Sequence, residues 1–199
     1  MGIRDILSTP WIFDTYQSLV GGTKAHRRFV NEFVKAQPGD RIIDFGCGLG
    51  VALKYLPEEI EYLGMDIHDP YIQEARKRHP QRTFVTADLE SMDFTPYGTF
   101  DIGISFGVVH HLTDGVAHAL GRQAKATVKP GGSFFALDPV YTPNMPRIAK
   151  FLIDHDRGSF PRNEAAYRAI FEGYGKVETY LASDMIHVPY TMIVTSVTF

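Results

Sequence analysis

Short apolar runs that alternate with helix-patterned segments predict an α/β fold on a mostly parallel sheet with helices on both faces. Three observations carry this reading. Five short apolar runs recur, "RIIDFG", which is rich in β-branched residues, then "EYLGMD", "RTFVTAD", "FDIGISFG" and "GGSFFALD". They are continuous instead of alternating, as strands covered on both faces are. Between them lie helix-like segments at Gly50 to Leu56, Pro70 to His79 and Asp114 to Val128, which imply βαβ units.

The order along the chain supports each element. "WIFDTYQSLVGG" and "AHRRFVNEFVKA" suggest one or two helices before the first strand, with residues 1–38 forming an N-terminal helical lid. After Asp138 the rhythm changes. "PVYTPNMPRIAKFLIDHDRGSFPRN" holds four prolines and reads as an irregular insertion, residues 139–163. A helix follows over Glu164 to Gly173, then "KVETYLAS" and "VPYTMIVTSVTF". The loop between these last two is too short for a helical crossover, so they pair as antiparallel neighbours. The 199 residues fit a single domain, and 44% apolar content suffices for a full core.

Charge and cysteine usage narrow the function classes. The net charge of −3 gives no field that would favour nucleic acid. The basic cluster "ARKRHPQR" falls at a helix end, where cations are favourable. Cys47 is the only cysteine, so no intrachain disulfide forms and a reducing compartment is expected. No run approaches the ~18 apolar residues of a membrane span. The start "MGIRDI" has Ile6 where a myristoylation signal needs Ser or Thr. The expectation is a cytoplasmic protein without a membrane or nucleic-acid partner.

The candidate site lies where the strands end. Gly46, Cys47, Gly48 and Gly50 form the turn after the first strand, where glycine admits positive φ and lets a ligand approach the backbone. The second strand ends at Asp66, about twenty residues on, where an acid accepts from ribose hydroxyls. The third ends at Asp88, suited to an adenine amino group. Either acid could instead cap a helix, Asp66 before "IHDP" and Asp88 before "LESM". Val51 stands where a dinucleotide loop has its third glycine, and Asp44 is unhelpful to a pyrophosphate but suits an ammonium. The ligand so described has a ribose, an adenine and an amino-acid tail.

"IIDFGCGLG", "YLGMDIH", "TADLESMDF", "FDIGISFGVVHHL" and "VKPGGSFFALDP" resemble the successive motifs of class I S-adenosylmethionine-dependent methyltransferases, over about Trp11 to Phe199. The likeness is greatest to the small-molecule branch with the ubiquinone and menaquinone pathway enzymes. The resemblance implies a Rossmann-like sheet of seven strands with the last antiparallel, S-adenosylmethionine as cofactor, and methyl transfer to a small-molecule acceptor. It places Gly46, Gly48 and Gly50 at the methionine part and Asp44 near its amino group. Asp66 would bind the ribose, Ile67 pack on adenine, Asp88 and Leu89 hold its edge, and Phe106 offer a carbonyl to the ammonium. Tyr16 and Arg28 would close over the cofactor.

For the acceptor, His110 and His111 are candidate bases, with at most one reaching the pocket if the chain is extended there. The alternative is a pair that shapes the loop before Asp114, the expected N-cap. Tyr141, His155, Arg157 and Arg162 are candidate substrate residues, the arginines as a carboxylate or phosphate clamp. In the other reading "DHDRG" is a self-paired turn. No histidine spacing points to a metal. The front segment around Trp11 and Phe13 serves as lid or as homodimer contact. A nicotinamide-dependent oxidoreductase and a non-catalytic adenosyl-binding protein are the rival readings.

Overall fold

The computed structural model describes residues 22–155, 158–186 and 191–199. Helix α1 (Gly22–Arg28) runs into a π-helical turn, Phe29–Val34, which stops at Lys35 in the left-handed region, φ 51°. Strands β1 (Arg41–Phe45), β2 (Glu61–Asp66), β3 (Thr83–Thr86) and β4 (Phe100–Phe106) follow the predicted runs. Helix α2 (Asp69–Arg78) precedes β3 and α3 (Asp114–Thr127) follows β4. Thr113, not Asp114, is the N-cap of α3, its hydroxyl accepting from Val116 N–H. Strand β5 (Val128–Tyr141) is longer than its apolar run, and β6 (Arg162–Asn163), α4 (Arg147–Asp154), α5 (Glu164–Phe171), β7 (Lys176–Ala182) and β8 (Met192–Thr198) complete the fold.

The sheet order is β3-β2-β1-β4-β5-β8-β7, with short β6 on β5. Every pairing is parallel except those of β8, which lies antiparallel to both β5 and β7. The Rossmann-like sheet with its last strand reversed is therefore present. Neighbouring residues of β1 feed opposite layers, as strand geometry requires. Ile43 and Phe45 pack with Leu120 of α3 and with Tyr167 and Phe171 of α5. Ile42 packs with Ala25 of α1, Ile72 of α2 and Val194 of β8.

Two expected elements differ. The helix over residues 50–56 is a single 3-10 turn, Val51–Lys54, because Gly50 at φ 75° starts it and Pro57 ends it before a helix can propagate. The insertion is not wholly irregular. Its middle is α4, which buries Ala149 and Ile153 at a four-residue spacing, an amphipathic stripe that the flanking prolines obscure.

Candidate functional site

The chain passes from β1 outward through β2 and β3, then returns to place β4 on the other side of β1. The carboxyl ends of β1 and β4 form the crevice where ligands bind open α/β sheets. After β1 the loop turns over the end of β2, as Gly46 N–H and Cys47 N–H both donate to Met65 O at 2.8 and 2.9 Å. Gly46, Gly48 and Gly50 all have positive φ. A Cβ on Gly46 would overlap Val108, whereas one on Gly48 would meet nothing within 4 Å. Packing demands the first glycine. The second faces open space, with its N–H turned to Asp66.

Asp66 is fixed by backbone. Oδ2 accepts from Gly48 N–H at 3.0 Å, and Oδ1 from His68 N–H at 2.9 Å with His68 Nδ1 at 3.2 Å. Beside it Ile67 is 59% exposed, an apolar surface held at the rim. The helix-cap reading of Asp66 fails, since His68 is the N-cap of α2. Beyond β3, Asp88 Oδ1 accepts from Glu90 N–H at 2.9 Å and its carbonyl from Met92 N–H at 2.9 Å, so it does hold a local turn. Leu89 is buried beside it. Ala87 N–H donates to Asp66 O at 3.0 Å, which brings the two acids to one edge.

Asp44 is 3% exposed and accepts from Tyr62 O–H at 2.6 Å. Burial pushes its carboxyl up to about 7, against the Tyr62 bond that lowers it. Burial also pushes the Cys47 thiol well up, so this cysteine is a small packing residue and no nucleophile. A cavity of ≈ 40 Å³ lies against Asp44, Gly46, Cys47, Gly48, Phe106 and His26. His26 is the residue that sequence reasoning missed. Its signal was its place beside Ala25 of α1 and Phe29 and Val30 of the π-helical turn, all buried. Its ring stacks on Phe106 with centroids 3.4 Å apart.

The remaining candidates differ in what holds them. Arg28 commits its guanidinium to Glu32, at 2.8 and 3.0 Å, and to Asp184 at 2.8 Å. Tyr16 and Arg157 lie outside the described residues. Arg162 is 9% exposed and serves as an internal clamp instead of a substrate residue. It donates to Val109 O, Leu112 O and Phe160 O at 2.7–3.0 Å and to Asp114 at 2.7 Å. His110 and His111 sit in a 3-10 turn, Val109–His111, not on extended chain, with rings 4.1 Å apart. His110 is buried and donates from Nδ1 to Asp138 Oδ1 at 2.8 Å; His111 is exposed. The backbone at Gly158 lies against the His110 ring edge, and Phe160 N–H donates to His110 O at 2.8 Å. His110 is thus enclosed, at variance with a base open to an acceptor.

In the insertion, Tyr141 O–H donates to Asp154 at 2.6 Å and Lys150 Nζ reaches the same carboxylate at 2.7 Å. Asp154 therefore answers Tyr141 and Lys150 within its own helix region. Burial and that bond push the Tyr141 phenol up to about 12. A hollow of ≈ 360 Å³ lies over Tyr141, Thr142, Pro143, Met145 and Lys150. His155 Nδ1 donates to Phe151 O at 2.7 Å, which ends α4 locally and leaves its ring on Phe151. Among the described residues no group of three or more His, Cys, Asp or Glu could hold a metal ion, and no helix is long and apolar enough to cross a membrane.

With this geometry in place, a family model described as a methyltransferase domain matches residues 42–132, from β1 to the start of β5. The matched segment, somewhat under half of the chain, holds the glycine loop, Asp66 and Asp88. An uncharacterized methyltransferase of Synechocystis sp. is 27% identical over 134 residues, 65% of this chain and 63% of that protein. A demethylmenaquinone methyltransferase of Beutenbergia cavernae is 29% identical over 115 residues, 57% of this chain and 46% of that protein. The chain thus spans less than two thirds of either relative. The structure of magnesium protoporphyrin IX methyltransferase from Synechocystis PCC 6803 with bound SAH superposes with a TM-score of 0.70 at 20% identity, covering 99% of this chain and 98% of that one. That likeness establishes the fold alone.

Proposed function

We propose that this chain transfers a methyl group from S-adenosylmethionine to a small-molecule acceptor. The observation that carries the reading is the Gly48–Asp66 arrangement. A carboxylate is held at the rim by two backbone N–H groups, beside a glycine whose open side has room for a ligand. The residues fit the cofactor. Asp66 would accept from the ribose hydroxyls, Ile67 would lie under adenine, and Asp88 with Leu89 would meet its edge. Asp44, Gly46 and the Phe106 carbonyl would surround the amino-acid tail. Charged hydrogen bonds of this kind contribute ~1.5–3 kcal/mol each.

The cofactor supplies a sulfonium methyl already activated for displacement. The protein's own residues then have to hold the acceptor in line and exclude water, which can account for up to ~7–11 kcal/mol of the barrier. We place the acceptor at residues 139–163, over the hollow beside Tyr141 and Lys150. His110, enclosed and tied to Asp138, is assigned to holding the turn after β4. Val51 in the loop and buried Asp44 behind it disfavour a nicotinamide dinucleotide.

Calorimetric titration with S-adenosylmethionine, S-adenosylhomocysteine and NAD tests this, alongside Asp66→Ala. Micromolar binding of the first two, weakened at least about tenfold in the variant, is expected. Binding of NAD alone would sink the reading. Cofactor binding with no turnover across an acceptor screen would favour the non-catalytic adenosyl-binding alternative.

A further inference from the structure

His26 has one nitrogen satisfied, and the residue lines the cavity beside the glycine loop. Nδ1 stands 2.9 Å from Gly22 O, one helical turn back. A carbonyl can only accept, so Nδ1 carries the proton and Nε2 presents a lone pair. Among the described residues the buried side-chain atoms left without a partner are Ser105 Oγ and Asp138 Oδ2. Nε2 is not sealed in that way, and no described donor meets it. The cavity it lines also holds Asp44, Gly46, Gly48 and Phe106.

The ring is fixed in place. It stacks on Phe106 at 3.4 Å and 14°, and Phe106 is in turn braced by the edge of Phe29 at 5.8 Å. The ring is also kept neutral. Burial pushes it down to about 4, and Lys54 on the neighbouring 3-10 turn acts in the same direction. A buried histidine that served packing alone would have both nitrogens bonded. Here an unprotonated acceptor is held rigidly in the cavity that Asp44 also lines.

We propose that His26 is a further cofactor-binding residue, its Nε2 accepting a hydrogen bond from the ammonium of the ligand's amino-acid tail while Asp44 meets the same group. This deepens the reading given under the proposed function and rests on it. It assigns α1 a direct share in recognising the tail. The adenosine half is left to the residues after β1, β2 and β3.

Three ligands separate the outcomes. Wild type, His26→Phe and His26→Gln are titrated with S-adenosylmethionine, S-adenosylhomocysteine and methylthioadenosine, which keeps the nucleoside but lacks the amino-acid tail. His26→Phe retains a ring against Phe106 and removes the lone pair. It should weaken both tailed ligands about 10–100-fold while methylthioadenosine changes less than about twofold. His26→Gln, with an amide oxygen, should recover part of the loss and keeps the test alive if the phenylalanine does not fold. Equal weakening of all three ligands, or of none, overturns the proposal. A wild type that binds none of them overturns the cofactor reading itself, a separate failure.

Discussion

The carboxyl ends of β1–β3 and the carboxyl ends of β4–β5 face the same side of one sheet, yet they use polar residues in opposite ways. At the first, Asp66 is gripped by backbone N–H groups and held at a rim, beside an exposed Ile67 and a glycine with open space. At the second, Arg162, His110 and Asp138 turn inward, binding the 109–112 turn to the end of the insertion. Carboxylates held by main chain keep lone pairs for a ligand. A guanidinium ringed by carbonyls keeps nothing. Residue type alone does not distinguish a site from a clamp; what does is whether its partners come from the fold.

The strongest way to break this contrast is Arg162→Met. The carbonyls of Leu112 and Phe160 lose their donor, while that of Val109 keeps the Leu112 N–H at 3.1 Å; an acceptor left unsatisfied away from water costs ~1–3 kcal/mol. Urea unfolding should show a loss of about 2–4 kcal/mol. Asp114→Ala, whose side chain is 80% exposed, should cost less than ~1 kcal/mol. Equal losses would mean the ion pair, not the carbonyl cage, carries the effect.

Gly46→Ala tests the other end. Positive φ costs an alanine ~1–2 kcal/mol, and overlap with Val108 adds ~1–3 kcal/mol. Adding Val108→Ala should restore only the overlap part, as denaturant midpoints can report. Next in size, Asp66→Asn should weaken S-adenosylhomocysteine by ~1.5–3 kcal/mol in a titration and cost only about 1 kcal/mol in unfolding, for the one backbone N–H that the amide cannot accept. A collapse of stability instead would make Asp66 a second clamp.

Proton linkage sharpens the comparison within the cavity that Asp44 and His26 line. Asp44 keeps its proton up to about 7 when folded but loses it near its ordinary value of 3.8 when unfolded. Its share of stability therefore declines as pH rises from about 4 to 7. His26 stays neutral down to about 4 when folded, although unfolded chain takes the proton near 6.5. Its share declines as pH falls from 6.5 to 4. The two slopes oppose each other. Relative to wild type, Asp44→Asn should lose more stability on acidification through that window, and His26→Phe less. Parallel unfolding curves across pH 4–7 would refute both. The smallest effect is expected of Tyr141→Phe, under about 1 kcal/mol in stability, since its hydroxyl joins a partly exposed group of Asp154 and Lys150. Steady-state kinetics should place its consequence in the acceptor's KM.

What sequence could reveal follows the same divide. The glycine loop, Asp44, Asp66 and Asp88 were legible because main-chain geometry imposes them locally, at fixed offsets from strands that read clearly. His26, Asp138 and the inward turn of Arg162 were not. Each depends on a contact between segments far apart in the chain: α1 on β4, β5 on the 109–112 turn, β6 on the same turn. Helix α4 was hidden for a different reason. Prolines bracket a stripe of only Ala149 and Ile153, too brief for periodicity to declare itself.

The reversed strand β8 has a consequence for biosynthesis. It follows every other strand in the chain, yet it lies between β5 and β7 and supplies the partners of both. While the ribosome is still adding residues before Met192, β5 lacks its β8 partner over Ser133–Pro139, and β7 lacks its only neighbour among the described strands. The glycine loop and its acids, all emerged by then, can already pair among themselves through β1–β4. A nascent chain can thus assemble β1–β4 before β8 emerges, with an unpaired edge on β5 exposed to other chains in the meantime.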